Sequence, residues 1–179
     1  MNNRIFVALL TLLTISLVST TAVAQENPMR SGFWGSFGLG WGSIGVSDDE
    51  ERYSGGAAML ALGGTINPRF LVGGAVSNWV RTENDVTLNV GVVAPVLRFY
   101  PQETQNFYLQ AGLGAGMAEL QFSSITISEE GGGAMLGLGY DLMLSDSWGI
   151  TPFANFSFVA LDSDANLNFL QLGIAGTYH

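Results

Sequence analysis

The chain contains no cysteine. Disulfide staples, thiol nucleophiles and thiolate metal sites are therefore excluded. Basic residues are nearly as scarce: six Lys and Arg stand against fifteen Asp and Glu, for a formal net charge of −9. A nucleic-acid partner needs a Lys/Arg footprint for its phosphates, and none is present. Charged residues of both signs make up 12% of the chain, against a usual share of about 25%. Mean hydropathy is +0.31, yet no apolar run reaches the roughly 20 residues that a membrane-spanning helix requires. The surplus apolarity is instead spread along the chain and broken by 24 glycines.

The first residues carry an address. Arg4 precedes an apolar run from Ile5 to Val18, and Ala22-Val23-Ala24 closes it with a small-x-small pattern. This reads as a secretory signal peptide over 1–24, cut after Ala24, which leaves a single domain over 25–179.

Beyond residue 30 the side-chain pattern has a period of two, the period of a strand. In "GFWGSFGLGWGSIGV" one face carries Phe33, Phe37, Leu39 and Trp41, and the other carries Ser36, Gly38, Gly40 and Gly42. The same division into bulky and small faces recurs at 107–117, 136–144, 150–158 and 170–178. In "VTLNVGV" it sets Val86, Leu88, Val90 and Val92 against Thr87, Asn89 and Gly91. Eight segments follow, at about 32–46, 54–66, 69–81, 85–100, 106–122, 132–144, 148–161 and 166–178. Most are far longer than the 5–6 residues usual for a soluble strand. They suit the 9–11 residues of a membrane strand, with overhang. Short connectors at 66–69, 100–105 and 144–147 alternate with acidic ones at 47–53, 81–85, 124–133 and 161–166. That is the rhythm of an up-and-down meander with two different ends.

Alternation permits two barrels: a soluble, lipocalin-like one that is apolar inside, or a membrane barrel that is apolar outside. The small faces decide for the second. They hold Gly, Ala, Ser, Thr, Asn and Gln, whereas a water-facing strand surface would carry Lys and Glu. Glycine fits a tight lumen, and eight strands make one just wide enough for side chains to fill. Closure also satisfies every strand edge, as a bilayer demands. Phe33, Trp34, Phe70, Phe99, Tyr100, Phe107, Tyr108, Trp148 and Tyr178 gather at the short-turn end, and Trp79, Phe122 and Phe158 lie toward the loops. They read as two interfacial girdles. Arg98 tests the register. Parity from Val86 turns it toward lipid, unless a bulge near Pro95 returns it to the lumen. A similar slip near Ala118 would turn Leu120 and Phe122 outward and Glu119 and Gln121 inward.

The signal peptide, "GFWGSFGLGWGS", "LGLGYDL", "TPFANFSF" and the closing "LQLGIAGTYH" together resemble the small outer-membrane β-barrel domain family of Gram-negative bacteria, OmpA/OmpX-like in architecture. The resemblance covers the whole chain after the signal peptide. It implies an all-β fold, an eight-stranded antiparallel up-and-down transmembrane barrel. It also implies the bacterial outer membrane as location, outer-membrane lipids as surroundings, and periplasmic chaperones and the outer-membrane assembly machinery as partners in biogenesis. That machinery reads a final strand ending in an aromatic; here Tyr178 is followed by His179.

Candidate chemistry is sparse. The single His, His179, stands at the end of the last strand and outside any evident triad, so no enzyme is expected, and no cofactor or metal. Asp141 is a charge on a small face, beside Gly137, Gly139 and Met143, and Arg98 is its candidate lumen partner. Asn89, Gln110, Asn155 and Gln171 read as lumen hydrogen-bonding groups. Asp48, Asp49, Glu50 and Glu51 form an acidic loop that lacks the glycine and spacing of a calcium loop. The expected role is structural or interactive, with a packed, non-conducting lumen and a monomeric barrel. A narrow channel for small or hydrophobic molecules is the alternative, and a soluble lipocalin-like carrier the third reading.

Overall fold

The computed structural model describes residues 30–46, 51–123, 125–163 and 165–179. Among them the elements are β1 (Phe33–Val46), β2 (Arg52–Asn67), β3 (Phe70–Glu83), β4 (Val86–Phe99), β5 (Phe107–Phe122), β6 (Ile125–Tyr140), β7 (Leu142–Met143), β8 (Trp148–Leu161) and β9 (Asn166–Tyr178). Neighbours run antiparallel, β1 pairs with β9, and both β6 and β7 pair with β8, so the sheet closes on itself. β6 and β7 are two lengths of one stave. Gly139 faces Phe153 and Leu142 faces Ile150 in one continuous register. The break between them falls opposite Pro152, which has no N–H to give a ladder. The result is a closed barrel of eight staves.

The sixth stave corrects the sequence reading. "SITISEEGGG" was expected to be a loop, yet β6 begins at Ile125 and carries Glu129 and Glu130 on the strand itself. The turn before it is tight, with Ser123 at φ 54°. Likewise "RTEND" shrinks to a two-residue hairpin turn, Asn84 and Asp85 at φ 49° and 63°, the signs that a primed turn requires.

The outer wall is apolar. Leu113 is 75% exposed, Ile174 63% and Leu136 61%, and Phe33, Phe37, Leu39, Leu138 and Leu172 lie open beside them. A continuous exposed apolar wall of this kind is not a surface that water tolerates. The interior is the reverse. Trp34, Trp79, Arg98, Tyr100, Tyr108, Phe169 and Gln171 are wholly buried. Several large rings, those of Trp34, Trp79, Tyr108 and Phe153, use room left by an inward glycine. Phe153 lies across the lumen so that a Cβ on Gly38 or Gly173 would come within 2.6 or 2.7 Å of it, and Tyr108 lies 2.6 Å from where a Gly139 Cβ would stand. Gly38 and Gly42 of "GFWGSFGLGWG" are thus space that the lumen aromatics Phe153 and Trp79 occupy.

Two further expectations fail here. Trp34, Tyr100, Tyr108 and Trp79 point inward and are no part of a girdle. The short-turn girdle is built instead from outward pairs: Phe70 stacks on Phe99 at 4.9 Å, and Tyr178 meets Trp148 at 5.2 Å and Phe33 at 6.5 Å. On β4 the two faces were assigned the wrong way round. Val90, Val92, Ala94, Val96 and Arg98 are the buried set, while Val93 and Leu97 are exposed. Valine stands on both faces of this strand, so alternation alone carried no polarity. Bulk is admitted inside because the neighbouring β5 presents Gly112, Gly114 and Gly116. No bulge at Pro95 is needed to turn Arg98 inward, because the β3–β4 register runs unbroken from Phe70 to Glu83. Nor does β5 slip at Ala118: its pairing with β6 is continuous, so Glu119 keeps the outward parity of Met117.

Candidate functional site

The short-turn half of the lumen holds the charged groups. Asp141, at the break between β6 and β7, is wholly buried. Its Oδ1 accepts from Thr151 Oγ1 at 2.7 Å, and its Oδ2 accepts from the Tyr100 hydroxyl at 2.7 Å and lies 3.0 Å from His179 Nε2. Thr151 sits on β8, Tyr100 just beyond β4, and His179 just beyond β9. Arg98, two staves away on β4, donates through Nε and Nη2 to Gln110 Oε1 at 3.1 Å each, and through Nη1 to Ser36 Oγ at 3.3 Å. Its guanidinium lies between two rings, 4.2 Å from Trp34 and 4.0 Å from Tyr108. Cation–π contact on both faces partly replaces the water that a buried guanidinium has lost.

Arg98 and Asp141 do not touch, but three hydroxyls join them. Ser36 Oγ lies 3.0 Å from Thr177 Oγ1, which lies 2.8 Å from Thr151 Oγ1. The carboxylate can only accept, so the Thr151 proton points to Asp141. Each hydroxyl has one proton, so Thr177 must donate to Thr151 and Ser36 to Thr177. Arg98, which can only donate, begins the chain. The sequence-derived pair is thus a directional relay, Arg98 to Ser36 to Thr177 to Thr151 to Asp141. The imidazole in direct contact with Asp141 among the described residues is that of His179, at 3.0 Å.

Below this layer Arg30 closes the end. It is buried, its guanidinium lies 3.6 Å over the Tyr100 ring, and it donates to the carbonyls of Gln105 at 2.8 Å, Glu103 at 3.3 Å and Pro68 at 3.4 Å, and to Asn106 Oδ1 at 3.0 Å. One side chain from the arm before β1 therefore binds two of the short turns together.

A second polar layer lies on the loop side of Phe153. Gln171 Oε1 accepts from Ser77 Oγ at 2.6 Å, its Nε2 donates to the Asn78 carbonyl at 2.7 Å, and Ser157 Oγ donates to Ser77 Oγ at 3.3 Å. Asn155 Nδ2 reaches Met59 Sδ at 3.5 Å. Gln110, Asn155 and Gln171 thus sit in the lumen, whereas Asn89 does not. It faces Val80 across β3–β4, and Val80 is exposed on the outer wall, so the reversed faces of β4 carry Asn89 outside. Glu51 accepts from the Tyr53 hydroxyl at 2.8 Å at the loop end. Asp48, Asp49 and Glu50 lie outside the described residues, as does the expected cleavage site after Ala24.

Sequence reading missed Arg30, Tyr100, Thr151, Thr177, Ser36 and His179 as members of one network. The parity needed for His179 was available: Tyr178 faces out, so its successor faces in. His179 is therefore no surface terminus but a buried imidazole on Asp141.

No family model matches the chain, and no curated protein does. Solved structures do. Neisserial surface protein A superposes with a TM-score of 0.66 at 14% identity, covering 83% of this chain and 97% of that one. Ail of Yersinia pestis, solved with the heparin analogue sucrose octasulfate, gives a TM-score of 0.57 at 18% identity, covering 82% and 99%. Ail in a phospholipid bilayer nanodisc gives 0.50 at 19% identity, with the same coverage. In fold, this chain is one of the closed eight-stave barrels found among small bacterial outer-membrane proteins.

Proposed function

We propose that this protein is an integral outer-membrane barrel with a structural or interaction role and a packed, non-conducting lumen. The observation that carries the reading is the filling of the lumen. The relay, the Phe153 layer and the Ser77–Gln171 layer succeed one another between the two ends, each with buried side chains. The wall that would meet lipid is apolar, and its outward aromatics stack at the short-turn end, where an interface would lie. A soluble carrier would need the reverse arrangement, with a hydrated wall around an apolar cavity.

Asp141 and His179 resemble the acid–base pair of a hydrolase. Their remaining partners are the Tyr100 and Thr151 hydroxyls, which tie staves together, so the pair is read as structural. The loop end suits neither a polyanion nor an extended adhesive surface. A heparin-like ligand of the kind in the Ail complex would meet Glu51, Glu83, Asp85, Glu129, Glu130 and Asp162 there, with Arg52 and Arg81 already engaged by Ser43, Asn168 and Glu83.

The test is planar-bilayer conductance of the refolded chain beside Phe153→Ala. The reading expects a silent barrel, and discrete openings only in the variant, where the ring across the lumen is gone. Openings of equal size in both would establish the narrow channel instead.

A further inference from the structure

The barrel does not close over its full height. β6 pairs with β8 only from Gly131, opposite Leu161, to Gly139, opposite Phe153, yet its pairing with β5 runs on to Ile125. β8 ends at Leu161, and the turn after it folds back on β6. There Asp162 N donates to the Glu130 carbonyl at 3.2 Å, and Ser163 N to Glu129 Oε1 at 2.7 Å. Beyond that turn, residues 125–128 have a strand on one side alone among the described residues. Backbone groups alternate sides along a strand. The Glu130 carbonyl points toward β8, so the N–H and C=O of Ser128 and Thr126 point the same way, where no strand follows. They form an open sheet edge.

The two faces of this free length differ. Outward stand Thr87, Gln121, Thr126 and Ser128, polar groups in place of the aliphatic wall below. Inward the register joins Val86 to Phe122 to Ile125, and Leu88 to Leu120 to Ile127. Ile125 and Ile127 share the parity of buried Met135, yet they are 52% and 56% exposed where β8 has stopped short of them. An apolar row beside unpaired backbone is what a neighbouring strand normally covers. The charge here has one sign. β5 and β6 carry Glu119, Glu129 and Glu130 and no Lys or Arg, and Asp162 lies beside Glu130 at the foot of the edge.

We infer that the open edge of β6 docks one extended, cationic peptide segment, which adds to the sheet as a further strand. The inference deepens the interaction role proposed above and rests on the outer-membrane reading, which places this edge beyond the lipid-facing wall. Thr126 and Ser128 supply the backbone pairing. Side chains on one face of the added strand cover Ile125 and Ile127, and Lys or Arg on its other face meets Glu130 and Asp162. Charge selects the occupant: a second copy of this chain would bring the same carboxylates to the edge, whereas a cationic segment brings their complement. The edge accepts a single strand and needs no broad adhesive surface.

The experiment places the refolded full chain in phosphatidylcholine nanodiscs and titrates it against a fluorescein-labelled octapeptide of alternating Lys and Val, read by anisotropy. Saturable binding is expected. The same peptide N-methylated at every residue keeps its charge but loses its donors, and binds about tenfold more weakly. A peptide of alternating Glu and Val does not bind. Ser128→Pro removes an N–H from the edge and none from the β5–β6 ladder, and weakens binding of the Lys–Val peptide about fivefold. Circular dichroism checks that the variant is folded; if it is not, the N-methylated peptide decides on the unaltered chain. Equal binding of the N-methylated peptide, binding indifferent to Ser128→Pro in a folded variant, or an inserted barrel that binds no peptide overturns the docking edge and leaves the barrel reading standing. A two-chain species in detergent that Ser128→Pro dissociates gives the edge to a second copy and overturns the peptide. Failure to insert into the nanodisc overturns both readings.

Discussion

Phe153 divides the lumen into halves that are filled by different means. Toward the short turns the space is taken by Arg98, Asp141, His179, Tyr100 and the hydroxyl relay. Toward the loops, beyond the small Ser77–Gln171–Ser157 layer, it is taken by Trp79, Ile44, Val90, Val159 and Phe169, with Leu88, Ala118 and Leu167 packed against them. The staves are the same and so is the use of glycine, but the bonding is not. An apolar cluster is tolerant: a neighbouring side chain can shift to fill a gap, and several arrangements cost nearly the same. A relay in which every proton has one permitted direction is not. Ser36 on β1, Thr177 on β9, Thr151 on β8, Asp141 at the β6–β7 break, Arg98 on β4 and Gln110 on β5 must all be in register for the network to be satisfied. The short-turn half therefore specifies which stave sits beside which, whereas the loop-end half mainly supplies volume.

Three changes break or sharpen that contrast. The largest effect belongs to Asp141→Ala. It strands the Tyr100 and Thr151 hydroxyls and the His179 imidazole, and leaves Arg98 at the head of a relay with no end. Loss of one partner from a buried charged network costs about 3–5 kcal/mol, and denaturant unfolding of the refolded barrel in detergent measures it. A loss below about 1 kcal/mol, within the range of ordinary surface changes, would show that the relay specifies nothing. Arg30→Ala comes next. It removes four donated bonds and the contact with Tyr100, and its expected cost is about 1–3 kcal/mol. Hydrogen exchange in the turns at 66–69 and 100–106 should quicken, while exchange in the β3–β4 turn stays unchanged. The smallest effect lies in a matched pair. Trp34→Phe deletes an indole N–H that bonds the Val72 carbonyl at 3.2 Å, and weakens one face of the Arg98 sandwich. Trp79→Phe deletes an indole N–H that has no acceptor. The first should cost about 1–2 kcal/mol and the second less than about 1. Equal losses would erase the distinction between a bonded half and a filled one.

Much of this architecture was legible in the sequence. Five staves keep one bulky and one small face, so their inward sides could be read from β1, β5 or β9 without coordinates. β4 was misread because valine occupies both of its faces. Its true polarity depends on the glycines of β5, a relation between strands and not within one. The sixth stave was cut short because Glu129 and Glu130 look like loop residues, although they stand on the strand. The candidate site was legible only in its parts. Asp141 is conspicuous as a charge among glycines, and parity places Ser36, Thr151, Thr177 and His179 inside. Their meeting depends on the stagger of strands around a closed barrel, which fixes height as well as face and leaves no mark in the periodicity of any single strand.

The pairing of β1 with β9 has a consequence in time. Gly35 meets Tyr178, so the first stave waits for the last. A ribosome or a secretion channel delivers such a chain one end first. Until the last segment has been delivered, β1 has only one of its two neighbours and the open edge of the meander is free to pair with any other strand. The long sequence separation of that contact also makes closure slow, because the entropy of joining distant segments must be met before the contact can repay it. The interval between delivery and closure is the period in which this chain is most exposed to aggregation. A barrel with this topology has to be kept from self-association in transit, and its yield depends on how quickly the first and last strands find each other.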